Sequence, residues 1–106
     1  MYKIEYLPAA MNDLVEIAAY IGVKLDNPDA ADRLAEDISE KVSAAAGQPY
    51  MNPLYIPIKP LTHEYRKIVV RNYDIFYWVD EPDKKVTIAR VIYAGRELDR
   101  LLRGQE

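Results

Sequence analysis

The 106-residue chain contains no cysteine, one histidine, two serines and two threonines. The lack of cysteine excludes a disulfide-stabilised scaffold, a zinc finger and a cysteine nucleophile. A single histidine excludes a histidine-rich metal site, and so few hydroxyl residues leave little material for a catalytic triad. The four glycines form no phosphate-binding loop. We therefore expect neither a metal nor another cofactor.

Long apolar runs are also absent. No stretch approaches the roughly 18 residues that a membrane-spanning helix needs. The first six residues, MYKIEY, lack the apolar region of a signal peptide. We expect a cytoplasmic protein with no membrane partner.

The residues that are present predict one globular domain over residues 1–106. Half of them are hydrophobic and 29% are charged, which is an ordinary composition for a folded domain of this size. The charge is uneven, since residues 1–50 carry a net −5 and residues 51–106 a net +2. The overall charge of −3 disfavours nucleic-acid binding through bulk charge, because that binding depends on many phosphate contacts. This overall charge does not exclude a small basic patch formed by residues 51–106.

The hydrophobic pattern of the first half predicts a strand followed by a helical hairpin. Apolar and polar residues alternate over residues 2–6, as in a half-buried strand. The next apolar residues recur at helical spacing and predict one buried helix face, namely Met11, Leu14, Ala18, Ile21 and Leu25. Asn27 and Pro28 suit the cap and first position of a second helix, which Gly47 and Pro49 end. Its predicted inner face is Ala31, Leu34, Ile38, Val42 and Ala45.

Four prolines in residues 49–61 exclude a regular helix there. Because Leu54, Ile56, Ile58 and Leu61 lie between them, we expect an extended, packed segment. Three antiparallel strands follow at 65–70, 73–79 and 86–93, with turns at 71–72 and 80–84. Residues 96–103 have leucines at helical spacing. The predicted fold class is therefore α+β: an N-terminal strand, an antiparallel helical hairpin, a three-stranded antiparallel meander, and a short C-terminal helix or tail.

Two blocks carry a resemblance to a known family. They are YKIEYLPAAMNDLVEIAAYI with NPDAADRLAEDI in the first half, and YRKIVVRNYDIFYWVDEPDKKVTIARVIYAGRELDRLL in the second. Together they resemble the RelE/ParE superfamily of toxins from bacterial type II toxin–antitoxin modules, and the ParE branch more closely. The resemblance implies a helical hairpin packed on a small sheet, and a cognate antitoxin that folds onto the toxin. One branch of this superfamily cleaves mRNA on the ribosome, whereas the other inhibits DNA gyrase.

The residues favour the gyrase-directed branch. Metal-free RNA cleavage needs a base, cations around the phosphate and an acid for the leaving oxygen. Arg66, Lys67 and Arg96 match basic positions of the ribonuclease branch. However, Asp74 stands where the resemblance to the ribonuclease branch leads us to expect an arginine. Leucines stand where it leads us to expect a C-terminal tyrosine or histidine. A gyrase inhibitor needs a binding surface instead of a reaction centre, and its candidate contact residues are Arg66, Arg71, Tyr73, Trp78, Arg96, Arg100 and Arg103.

Structural roles compete with these functional ones. The aromatic residues Tyr73 and Trp78 also suit a small core, and Arg66, Lys67 and Arg71 also suit an edge strand that charges protect from aggregation. Arg96 follows a strand end, where loops carry sites, but Glu97 and Asp99 offer it carboxylates nearby.

Three hypotheses remain: a gyrase inhibitor, a ribosome-dependent endoribonuclease, and a non-toxic relative that only binds antitoxin. The free toxin is expected to expose apolar surface and to dimerise through it.

Overall fold

The computed structural model describes residues 1–94 and 98–104 of the chain. Its elements are β1 (Lys3–Tyr6), α1 (Pro8–Ala19), a π-helical turn (Tyr20–Lys24), α2 (Pro28–Gly47), β2 (Arg66–Val70), β3 (Tyr73–Asp80), β4 (Lys85–Tyr93) and α3 (Leu98–Arg103). This order confirms the predicted α+β fold class.

The strands form one sheet in the order β1-β4-β3-β2. The meander pairs antiparallel, with Ile68 opposite Ile75 and Ile75 opposite Val91. A register shift between Phe76 and Tyr77 marks a bulge in the pairing of β3 with β4. β1 joins the other side of β4 in parallel, with Lys3 opposite Lys85 and Tyr6 opposite Ile88.

Helix α2 follows the sequence prediction closely. The Asn27 side chain accepts a hydrogen bond from the Ala30 backbone N–H at 3.1 Å, and Pro28 occupies the first turn. Leu34, Ile38, Val42 and Ala45 are buried against the sheet, together with Ala46. The period of 3.6 residues therefore identifies the face that packs on the core.

The predicted inner face of α1 is partly wrong. Met11, Ala18 and Leu25 are exposed, whereas Ala10 and Asp13 are buried. Leu14, Ile17 and Ile21 pack against the core at its margin. Apolar residues on α1 fit two overlapping faces, and the buried face is the one that also carries a carboxylate. A hydrophobic pattern cannot select that face, because it counts an aspartate as a solvent residue.

The other side of the sheet carries a second, smaller cluster. Alternate residues of a strand point to opposite faces, so Phe76 and Ile92 face away from the helical hairpin and pack with Tyr65, Ala89 and Leu102. Residues 53–61 are here called the proline strap. Helix α3 and part of the proline strap cover this face of the sheet.

The strap is extended, as predicted, but its apolar residues are not all packed. Its first residues pair with β2, since Tyr55 N–H donates to the Tyr65 carbonyl at 2.8 Å and Lys67 N–H donates to the Pro53 carbonyl at 3.0 Å. Leu61 is half-buried, whereas Leu54, Ile56 and Ile58 are exposed. An extended chain held against a surface buries alternate residues only.

Candidate functional site

Arg66, which was predicted as a catalytic or target-binding residue, lies at the start of β2. Its Nη1 donates to the backbone carbonyls of Asn52 at 2.7 Å and Tyr50 at 3.2 Å. The guanidinium also lies 5.1 Å from the centroid of the Tyr50 ring. Lys67 is half-buried and opposite Phe76 in the sheet. The Arg66 side chain thus fastens the chain after α2 to the edge of the sheet.

Arg71 lies in the tight turn between β2 and β3, with a positive φ of 53°. Its Nε and Nη2 donate to Asp37 Oδ2 at 3.0 and 2.7 Å. Both side chains are almost half exposed, so solvent screens this pair. The ion pair links the turn to helix α2.

The two aromatic candidates lie on opposite faces of β3. Tyr73 packs edge-on against Tyr93 with ring centroids 5.6 Å apart, and partial burial raises the pKa of its phenol. Trp78 stacks flat on His63, with ring centroids 3.7 Å apart, and meets Tyr65 edge-on. The single histidine of the chain therefore covers a tryptophan face.

The C-terminal candidates divide into described and undescribed residues. Arg103 donates to the carbonyls of Lys59 and Pro60, both at 3.3 Å. Arg100 is exposed on α3. Arg96 belongs to residues 95–97, which lie outside the described part of the chain, so its predicted role stays a prediction.

Sequence reasoning missed the most buried ion pair among the described residues. Arg90, in the middle of β4, donates from Nε and Nη2 to the Asp13 carboxylate at 2.7 and 2.9 Å. Asp13 also accepts the Val91 backbone N–H at 2.9 Å. The hydrogen bonds to Asp13 raise the pKa of Arg90, against the opposing effect of desolvation. A lone arginine within the apolar strand sequence VTIARVIY was the available signal, because a buried charge requires a partner.

A groove of about 860 Å³ lies beside this pair. Among the described strands, β1 pairs with β4 only as far as Ile88. Next to the Asp13–Arg90 pair, the groove lies between α1 with the π-helical turn on one side and the end of β4 on the other. The lining is mostly apolar and aromatic, with charged groups from both sides; it includes Ile17, Tyr20, Ile21, Tyr73, Tyr93 and Arg90. A surface of this kind suits an apolar polypeptide segment.

A second polar cluster lies at the turn between β3 and β4. Glu81 accepts hydrogen bonds from the Tyr2 hydroxyl and from Lys84 Nζ, the latter at 3.2 Å. Hydrogen bonds from Tyr2 and Tyr50 lower the pKa of Glu81, and the same carboxylate raises the pKa of Tyr2. These shifts make Glu81 a weaker base and Tyr2 a weaker acid, which is opposite to what acid–base catalysis near neutral pH requires.

Four described arginines bind groups of the protein itself, although Arg71 and Arg90 both line the groove. Arg66 binds carbonyls, Arg71 binds Asp37, Arg90 binds Asp13, and Arg103 binds the strap. Within residues 1–94 and 98–104 no group of three His, Asp or Glu side chains is arranged to hold a metal ion.

The helical hairpin packed on a four-stranded sheet, with an open groove beside α1, defines a small α+β protein. A family model described as the ParE toxin of the type II toxin–antitoxin system parDE matches residues 4–98. The chain belongs to this family and is the toxin component of a type II toxin–antitoxin module.

Solved structures share the fold. The chromosomal ParDE system from P. aeruginosa is 22% identical, with a TM-score of 0.65, over 88% of this chain and 96% of that chain. The isolated E. coli RelE toxin is 14% identical, with a TM-score of 0.62, over 92% and 88% of the two chains. The RelBE2 complex from Mycobacterium tuberculosis is 17% identical, with a TM-score of 0.57, over 87% and 96%.

No curated protein matches the sequence. None of the described helices is both long enough and apolar enough to cross a membrane.

Proposed function

We propose that this toxin inhibits DNA gyrase by binding it, without cleaving RNA, and that a cognate antitoxin neutralises it. The main support for this proposal is that the described arginines of the sheet and its turns already bind other groups of the toxin. A phosphoryl-transfer site needs cationic donors that are directed at the phosphate and are not already paired. In the described sheet and turns, the forks of Arg66, Arg71 and Arg90 are directed at carbonyls or carboxylates of the protein itself.

Asp74 adds a second reason. It is buried at 6% exposure, opposite Val69 on β2 and Ile92 on β4. A carboxylate at this position repels a phosphate that approaches the sheet. The leucines of α3 offer no acid for a leaving oxygen, because an alkyl side chain has no ionisable proton. Leu102 is instead buried in the second, smaller cluster.

The groove beside α1 is the proposed seat of the antitoxin. The similar P. aeruginosa structure is a ParDE system and the similar M. tuberculosis structure is a RelBE2 toxin–antitoxin complex, which supports an antitoxin partner for this chain. Tyr20 and Tyr93 line the groove and are each about half exposed. Rigid aromatic side chains of this kind are frequent energetic anchors of protein interfaces.

Two enzyme assays test the target. Purified toxin is added to DNA gyrase with relaxed plasmid and ATP, and in parallel to ribosomes programmed with mRNA. The proposal expects altered gyrase supercoiling or trapped cleavage complexes, and intact mRNA. Cleaved mRNA with unaffected gyrase contradicts it and establishes the ribonuclease alternative. Inactivity in both assays, with antitoxin binding retained, favours a non-toxic relative.

The groove is tested with the antitoxin. Tyr20→Ala combined with Tyr93→Ala is expected to weaken antitoxin binding by about tenfold or more. The matched control is Tyr50→Ala, which removes an equally exposed tyrosine that does not line the groove. Equal affinities of the two variants contradict the assignment.

Light scattering of the free toxin and of the complex tests the predicted dimer, which antitoxin binding should dissociate.

A further inference from the structure

Two of the most exposed large apolar side chains lie on the proline strap, and Val23 of the π-helical turn is similarly exposed. Ile58 is 91% exposed and Ile56 is 78% exposed. Single exposed apolar residues are common, but two neighbours on one face of an ordered segment form a contact surface. Neither residue lines the groove that is assigned to the antitoxin.

The strap is fixed at several points. Tyr55 and Pro57 are half-buried, and they alternate with the exposed Ile56 and Ile58. The Tyr55 hydroxyl donates to Asp99 of α3, and the Ile58 backbone N–H donates to the other carboxylate oxygen of Asp99 at 2.8 Å. The Tyr55 ring also packs edge-on against Phe76, with ring centroids 5.2 Å apart.

The far end of the strap is also bound to α3. Arg103 donates to the Lys59 and Pro60 carbonyls, and prolines at positions 57 and 60 restrict the backbone further. A segment held in this way loses little conformational entropy when a partner binds its exposed face. The two isoleucines are therefore preorganised for contact.

The charges beside the isoleucines indicate the kind of partner. Lys59 and Arg103 are both exposed and both meet the same end of the strap. Of the nearby carboxylates, Asp99 is occupied by the hydroxyl of Tyr55 and the N–H of Ile58, and Glu64 lines the same pocket as Ile56. A second copy of the chain bound about a two-fold axis through this patch would bring the cations of the two copies close together, which is unfavourable.

We infer that the strap, through Ile56 and Ile58, is the surface by which this toxin contacts its protein target, and that it fits an apolar pocket with a carboxylate-lined rim. This inference rests on the proposal that the toxin acts by binding a protein. Ile56 and Ile58 are not among the target-binding residues predicted from the sequence. The described arginines among those predicted residues mainly bind the toxin's own backbone and carboxylates.

The test uses the full chain with Ile56→Ser and Ile58→Ser together. Both side chains are exposed, so the thermal unfolding midpoint should stay at the wild-type value. Antitoxin affinity should also be unchanged. Growth arrest after induced expression should disappear, and the concentration needed for target inhibition should rise by about tenfold or more. The matched control is Val15→Ser, at a helix residue that is 63% exposed and should act as wild type.

A second variant tests the charge. Lys59→Glu should weaken inhibition, and the weakening should diminish as salt is raised. Lys24→Glu is its control, because Lys24 is exposed in the π-helical turn away from the strap. Equal inhibition by both lysine variants contradicts the acidic rim.

Three results would overturn the inference. The first is full growth arrest by the double serine variant. The second is loss of antitoxin binding by that variant, which would make the strap an antitoxin surface. The third is a wild-type dimer that the double substitution converts to a monomer. The gyrase proposal fails separately: if the wild type arrests growth without affecting gyrase and the double variant does not arrest growth, the strap assignment stands and the target is another protein.

Discussion

Replacing Asp13 by asparagine should destabilise the toxin strongly. The Asp13 and Arg90 side chains are only 10% and 18% exposed. The substitution removes the charge that Arg90 faces and disturbs three hydrogen bonds, from Arg90 Nε, Arg90 Nη2 and the Val91 N–H. Breaking a buried ion pair from one side costs about 3–5 kcal/mol. Because Arg90 keeps a 3.4 Å contact with the Leu101 carbonyl, we expect about 3 kcal/mol, the lower end of that range.

Urea unfolding followed by circular dichroism measures this loss. With a slope of about 1.5 kcal/mol per molar urea for a domain of this size, the midpoint should fall by about 2 M. The control is Glu5→Gln, which breaks the more exposed Lys85–Glu5 pair, joined at 2.6 Å. That change should cost less than about 1 kcal/mol.

A double variant separates the charge effect from the shape change. Adding Arg90→Met to Asp13→Asn removes the uncompensated cation, so the double variant should be more stable than Asp13→Asn alone. The reasoning is refuted if Asp13→Asn costs less than about 1 kcal/mol, or if the double variant is the less stable of the two.

Three further predictions concern stability. Tyr77→Phe should cost about 1–2 kcal/mol in urea unfolding, because its buried hydroxyl donates to the Pro49 carbonyl at 2.6 Å; an unchanged midpoint contradicts this. Burial and the hydrogen bond to Asp99 raise the pKa of Tyr55 to about 12. The neutral phenol of Tyr55 therefore stabilises the fold below pH 10, and this stabilisation is lost as pH rises towards 12. Phenolate absorbance should show a last transition near pH 12 that Tyr55→Phe removes, and its persistence in that variant refutes the assignment. Gly22→Ala should leave stability unchanged or raise it by about 0.5 kcal/mol, because the added methyl meets Ala31 at an ordinary 3.7 Å; a lower midpoint contradicts this.

Much of the fold follows from local sequence signals. Asn27 with Pro28 begins α2, and the apolar period of α2 identifies its buried face, because a capped amphipathic helix has one stable orientation on a sheet. The tight turn at Arg71 likewise determines the antiparallel pairing of β2 with β3. These signals are contained within a few neighbouring residues.

Long-range partners were not predictable in the same way. Lys3 pairs with Lys85 across most of the chain, and no local pattern records a parallel pairing of that separation. Asp13 and Arg90 are likewise far apart in sequence, so a hydrophobic pattern assigns each of them to solvent. Burial of that pair is also the reason why the predicted inner face of α1 was partly wrong.

The candidate site was predictable only as an inventory of residue types. The sequence offered arginines and aromatics on the meander, but it could not show that Arg66 and Arg71 bind groups of the toxin itself. The exposure of Ile56 and Ile58 was also missed, because apolar residues between prolines were expected to pack. Whether such a segment packs depends on which side faces the sheet, and α3 determines that from residues more than forty positions away.

Metabolic labelling after induced expression in a bacterial host tests the central claim most directly. Thymidine and methionine incorporation are followed together over the first minutes, with and without the co-expressed antitoxin. We expect thymidine incorporation to fall first while translation continues, and the antitoxin to restore it. An earlier collapse of methionine incorporation would contradict gyrase inhibition and place the target in translation.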